Sequence, residues 1–219
     1  MQSIKMNTLE TMIDYLNDDH ITELEKIDHI KTLINYDLSI KSLKAANQLS
    51  TFKGLKTFIA ANIRKDSRAM TQGYWIDDQG CQCVCNGYIG MRIFKPVIHN
   101  DLQTSQGFDV SKIINDLCKD LEIDQKGFAP LEISYAKVYE LVKLAKATTE
   151  KYHSPKSTDP KMHKFHDDGN TYNINLVHTA MKTIGATEYI IYDSTEVMKG
   201  MYIWSLLGDA IVLPIHTKS

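Results

Sequence analysis

Tyr74-Trp75-Ile76-Asp77-Asp78-Gln79-Gly80-Cys81-Gln82-Cys83-Val84-Cys85-Asn86-Gly87-Tyr88-Ile89-Gly90-Met91-Arg92-Ile93-Phe94 is the stretch on which the fold turns. Its hydrophobic period is two. Residues 74–77 read as a strand, Asp78-Gln79-Gly80 as a turn, 81–85 as an alternating strand and Asn86-Gly87 as a tight turn, with a third strand over 90–94 that ends before Pro96. Three such strands in succession make an antiparallel meander. A helix precedes them: after Gly54, the residues Leu55, Phe58, Ile59 and Ile63 fall on one side and leave Lys56, Arg64 and Lys65 to the other.

The C-terminal fifty residues repeat this plan. Residues 173–184 read as a helix closed by Gly185, and 188–192, 199–206 and 210–215 read as strands separated by Asp193-Ser194 and Gly208-Asp209. Two helix-plus-three-strand units at about 55–96 and 172–215 imply internal pseudo-symmetry. Between them, 110–118 reads as a short helix and Ser134 as the cap of a helix from Tyr135 to about residue 150, with Val138, Leu141, Val142 and Ala145 as its apolar stripe. Residues 153–170 carry two prolines and three histidines and read as a long polar loop.

The first fifty residues are helical in pattern. Leu9, Met12, Ile13 and Leu16 form one stripe; Ile21, Leu24, Ile27, Ile30, Leu33 and Ile34 form the next after Asp18-Asp19; a third piece over 38–49 follows Asp37. Thr22 and Glu25 have capping-box spacing. The expected division is an amphipathic helical segment over 1–50 and an α+β domain over 51–219.

With 219 residues, 43% hydrophobic and 24% charged, the chain has the composition of a globular protein, and its net charge of −2 conceals a gradient. Residues 1–40 hold eight acids against three lysines, net −5, whereas 41–68 hold seven cations against Asp66, net +6. Such runs read either as solvated helix faces or as an anion-binding surface. No apolar run is long enough to span a membrane, and the start lacks a charged-then-apolar leader, so a cytoplasmic location is expected.

Cys81, Cys83 and Cys85 alternate and point to one strand face, which favours free, buried thiols over a disulfide or a zinc site. His153, His163, His166 and Asp167 have spacing open to a metal but lack a second ligand pair, so no metal is expected. Neither a phosphate loop nor a Gly-x-Gly-x-x-Gly turn occurs. A hydrolase would need Cys118 or Cys85 beside His178, with no motif to place them. Tyr74, Trp75 and Tyr88 suit base stacking or, as strand residues, cross-strand packing. No cofactor and no catalytic residue is expected.

Arg68-Ala69-Met70-Thr71-Gln72-Gly73 leading into a strand, and Cys85-Asn86-Gly87-Tyr88 before another, resemble the bacterial sliding clamp family, the beta subunit of the replicative DNA polymerase. In that family Arg-Pro-x-Leu-x-Gly and Thr-Asp-Gly-His-Arg-Leu take those places. Tyr172-Asn173-Ile174-Asn175-Leu176-Val177 is similar to the start of the clamp's last helix, Tyr192-Asp193-Ser194 to its Thr-Asp-Ser, and Ala210-Ile211-Val212-Leu213-Pro214-Ile215 to its closing strand. The resemblance covers about ninety residues in two blocks, 55–96 and 172–215.

It implies a DNA-clamp-like α+β fold with helices on an inner face, and a nonenzymatic protein of DNA replication that holds duplex DNA by its phosphates. Lys53, Lys56, Arg64, Lys65, Lys143, Lys146 and Lys182 are the implied DNA contacts. Cys85, Tyr88, Leu213, Pro214 and Ile215 are the implied groove for a partner peptide. The implied partners are duplex DNA, replication proteins and further copies of the chain, since a ring needs six clamp domains and this length supplies one or two. The chain departs from the family in its acidic N-terminal helices, in Ile89 where the family has Arg, and in His216-Thr217 where it has Arg-Leu. The competing expectation is a clamp-fold interaction module that uses those acidic helices for a partner or for self-association and does not bind DNA.

Overall fold

A computed structural model of the chain describes residues 8–65, 68, 73–98, 109–123, 128–147, 161–167, 169–185, 188–194, 196 and 199–215. The expectations for His153, for the loop at 125–127, for residues 69–72 and for His216-Thr217 lie outside these residues. The chain divides into two compact units, Met1–Leu49 and Ser50–Ser219.

The first unit holds α1 (Thr8–Leu16) and α2 (Glu23–Ala45). Thr22 and Glu25 cap α2 reciprocally, as the spacing predicts. The rings of Tyr15 and His29 join the two helices at 4.0 Å. Asp37 does not interrupt α2: its carboxylate pairs with Lys41 one turn on at 2.8 Å, a spacing that supports a helix. Leu24, Ile27, Ile34 and Leu38 remain exposed.

The second unit contains the remaining elements: α3 (Leu49–Lys65, starting at the boundary), β1 (Trp75–Ile76), β2 (Gln82–Cys85), β3 (Ile89–Ile93), α4 (Val110–Ile123), β4 (Phe128–Pro130), α5 (Tyr135–Ala147), β5 (Met162–Lys164), β6 (Thr171–Asn173), α6 (Ile174–Ile184), β7 (Ile190–Ser194), β8 (Met201–Ser205) and β9 (Gly208–Val212). Seven strands form one antiparallel sheet in the order β1-β2-β3-β9-β8-β7-β4, and β5 pairs with β6. The α+β class is therefore as expected. The two meanders meet edge to edge through β3 and β9, with Met91 opposite Ala210 and Arg92 opposite Asp209.

Turn chemistry explains the first meander. Asn86 Oδ1 accepts the amides of Tyr88 and Ile89, and Gly87 takes φ +85°, a backbone state that side chains disfavour. Gln82, buried between the layers, accepts the amides of Val97 and Ile98 and donates to the Ile98 carbonyl, anchoring the chain that leaves β3.

Strand alternation sends the sheet's side chains to two helical layers. On one face α4 covers Cys85, Tyr202 and Ile211 with Val110, Ile114 and Leu117. On the other lie α3 and α6, with Ile89 beneath their groove. Burial of Leu55, Ile59, Val177, Met181 and Ile184 on this side stabilises by about 1.5–3 kcal/mol per side chain. Gly54 is not the start of a helix, as its residue type suggests, but an interior position of α3. A Cβ there would stand 3.0 Å from Thr183 Cα of α6, so the glycine permits the close crossing.

Two further differences concern the middle of the chain. α4 runs to Ile123, beyond the expected end at 118. β4 and β5, read as loop from composition, are strands: β4 pairs with β7, distant in sequence, and β5 with β6 a few residues on.

Candidate nucleic-acid interface and apolar pocket

The helices α3, α5 and α6 carry Lys53, Lys56, Arg64, Lys65, Lys137, Lys143, Lys146 and Lys182 against one acid, Glu140. α4, on the opposite face of the sheet, carries Lys112 and Lys119 against Asp116, Asp120 and Glu122. Among the described side chains the sheet thus separates a cationic layer from one whose charges balance.

Lys53 and Lys182 line a groove of about 550 Å³ between α3 and α6, with Phe58, Asn62, Thr179 and His178 among its other walls. Lys56 is exposed three residues further along α3, its Nζ 5.4 Å from the Phe52 ring. Arg64 and Lys65 close α3, and their side chains lie outside the described residues.

α5 packs beside α6 through Val142, Ala145 and Ile174. Here the chain builds a cluster that spacing alone did not single out. Tyr135 and Tyr139, one turn apart, stack with His178 of α6 at 5.2 and 5.6 Å, and Tyr135 Oη lies 2.9 Å from His178 Nε2. Burial first, then the charges of Lys182 and Lys146, hold His178 below its ordinary pKa of 6.5. Lys182, one turn on from His178 along α6, lines the same groove. Lys143 donates to Glu140 at 2.7 Å and lies over the Tyr139 ring at 4.5 Å.

Across the sheet, where α4 begins, is an apolar pocket of about 280 Å³. Cys85, Tyr88 and Leu213 of the expected groove line it, joined by Val110 and Ile113 from α4, Ile211 from β9 and Arg68 at its side. Pro214 and Ile215 do not line it. The Leu213 amide bonds the Tyr88 carbonyl at 2.8 Å, but the Ile215 amide bonds the Thr171 carbonyl of β6 at 2.8 Å and carries the tail away. The helix over 110–118 and the strand carrying Ile211 are legible in the sequence, but their approach to Cys85 is a long-range event that local pattern does not indicate.

No family model, curated protein or solved structure matches this chain. Function is therefore argued from the geometry.

Several alternatives meet that geometry directly. Cys81, Cys83 and Cys85 are buried and free, and burial pushes the Cys83 thiol up to about 12, far from a reactive thiolate. Cys85 lies under α4 and Cys118, on α4, packs against the same cluster, whereas His178 lies with α6 across the sheet, so no thiol–imidazole pair forms between them. Among the described residues no group of ligands suited to a metal occurs. His163 instead meets Phe165 edge-on at 4.8 Å. Tyr74 is buried and Trp75 packs against the α4 cluster, while Tyr88 is exposed at the pocket. No helix among the described residues is long and apolar enough to cross a membrane.

Proposed function

We propose that the chain is a nonenzymatic, clamp-like DNA-associated protein of the replication apparatus, holding duplex DNA through the phosphates it presents to α3, α5 and α6. The observation that carries this reading is the partition of charge across the sheet: among the described side chains, six cations to one acid on α3, α5 and α6, and two cations to two acids on α4. Lysines spaced over several helices suit a backbone that repeats, and they give affinity without base readout. Encirclement of a duplex would use several copies of the chain.

The apolar pocket supports a second component of the same reading. A site of about 280 Å³ lined by Cys85, Tyr88, Ile113, Ile211 and Leu213 is sized for one or two large apolar side chains, and it fits a replication partner that inserts a short peptide.

Charge reversal tests the DNA component. Lys53→Glu, Lys146→Glu and Lys182→Glu together should abolish duplex retention, while Lys112→Glu with Lys119→Glu on α4 should leave it unchanged; equal loss in both variants would reject the reading.

The alternative is a protein-interaction module that leaves DNA alone and works through α1 and α2. Their exposed Leu24, Ile27, Ile34 and Leu38, set among acidic residues, favour an interface there. Removal of residues 1–48 separates the two: gain of duplex binding marks the helices as a shield, and loss of a self-complex without any duplex binding marks them as the interface.

A further inference from the structure

The rings on α5 and α6 have no obvious use in a purely phosphate-binding surface. Tyr135 staples the two helices through its contact with His178 Nε2 at 2.9 Å. Tyr139 has no such duty. It is 42% exposed, it stacks with both Tyr135 and His178, and the surrounding charges are Lys143, Lys146 and Lys182 with Glu140 as the one acid on these two helices. An intact duplex offers no base faces to an aromatic ring, because its bases are stacked on one another. Unpaired bases do.

We propose that the Tyr135–Tyr139–His178 shelf is a stacking site for unpaired nucleobases of single-stranded DNA, with Lys143, Lys146 and Lys182 holding the adjoining phosphates. The inference rests on the cationic helical layer being a nucleic-acid surface, and it adds a second substrate form to it. Spacing supports the assignment: positions 135, 139 and 143 follow one another at single-turn intervals along α5, so two rings and a cation form one line on the helix. Lys143 covers the Tyr139 ring at 4.5 Å in the unliganded protein. A solvent-exposed cation–π contact is weaker than base–aromatic stacking, so an incoming base displaces the ammonium and leaves it free to meet a phosphate. Stacking is tolerant of sequence, so the site discriminates strand state and not base identity.

The test compares the full-length protein with Tyr139→Ala and Tyr139→Trp on two probes, an oligothymidylate and a blunt mixed-sequence duplex. Because Tyr139 is exposed, neither substitution removes core packing. Tyr139→Ala should weaken oligothymidylate binding about tenfold or more and leave duplex binding within about twofold, and Tyr139→Trp should restore single-strand affinity. Equal effects of Tyr139→Ala on both probes, or none on either, overturn the shelf while duplex binding by the helical face stands. Oligothymidylate binding without duplex binding overturns the duplex reading and keeps the shelf. A wild-type protein that retains neither probe overturns both.

Discussion

Arg92 of β3 donates to Asp209 of β9 through two hydrogen bonds, Nε to Oδ1 at 3.0 Å and Nη2 to Oδ2 at 2.7 Å, at the seam where the two meanders join. Both side chains are buried, Arg92 Nη1 donates onward to Asn115 of α4 at 2.7 Å, and Tyr202 adds a longer contact to Asp209. Burial opposes the charge of Arg92, but the hydrogen bonds to Asp209 outweigh it and hold its pKa above the usual value. The pair therefore fixes the register between the two halves and ties α4 to it.

Removal of one partner should be costly because it strands the other. Arg92→Met is expected to lower unfolding free energy by about 3–5 kcal/mol, and the double variant Arg92→Met with Asp209→Leu to recover more than half of that loss, read by urea denaturation. A single variant within about 1 kcal/mol of wild type would show that the seam does not depend on the pair.

Gly54 supplies a sign test for the crossing of α3 and α6. At an open position in a helix, Gly→Ala stabilises by roughly 0.5–1 kcal/mol. Here the added methyl meets Thr183 Cα at 3.0 Å, so Gly54→Ala should destabilise by about 1–3 kcal/mol, seen as a lower melting temperature. A raised melting temperature would mean that the helices are farther apart.

His178 gives a pH dependence with a defined sign. Its folded pKa is depressed by burial and by Lys182 and Lys146, so the neutral ring contributes stability above the unfolded value of about 6.5 that is lost as pH falls through the folded value. His163, held low by burial and by Lys137, acts in the same direction. The imidazole of His178 should titrate below pH 6.5 by nuclear magnetic resonance, and His178→Gln should flatten the fall in stability between pH 7 and pH 5. A midpoint at or above 6.5 would contradict the cationic surroundings assigned to α6.

Leu213 tests the pocket without disturbing the core, being 37% exposed. A fluorescent peptide with two adjacent apolar anchors should bind wild type, and Leu213→Asp should weaken it about tenfold or more at unchanged melting temperature. Equal binding to both proteins would remove the pocket from partner recognition.

The elements legible in the sequence are those whose cause is local. The Asn86-Gly87 hairpin announces itself because Asn86 supplies the turn bonds within three residues, and α6 because Asn173 caps it and Gly185 closes it. Misread elements have distant causes. Gly54 looks like a helix boundary until Thr183 is known to lie against it, and Phe128–Pro130 is a strand because β7 is beside it. The sites divide in the same way. Lys53, Lys182, Cys85, Tyr88 and Leu213 are legible through resemblance, although Lys53 falls outside the helix that the sequence predicts and inside α3. The rest of the pocket and the shelf come from α4, Ile211 and α5, which fold onto those residues from elsewhere in the chain.

The claim that the α3–α5–α6 layer holds DNA phosphates is tested most directly by the salt dependence of duplex affinity. Each phosphate contact contributes about −0.9 to the slope of log affinity against log salt concentration. The wild-type slope should be about −3 or steeper, and replacing Lys53, Lys146 and Lys182 by Ala should each make it shallower by about 0.9. No duplex binding at low salt, or a slope that responds to Lys112 and Lys119 of α4 instead, would contradict the account.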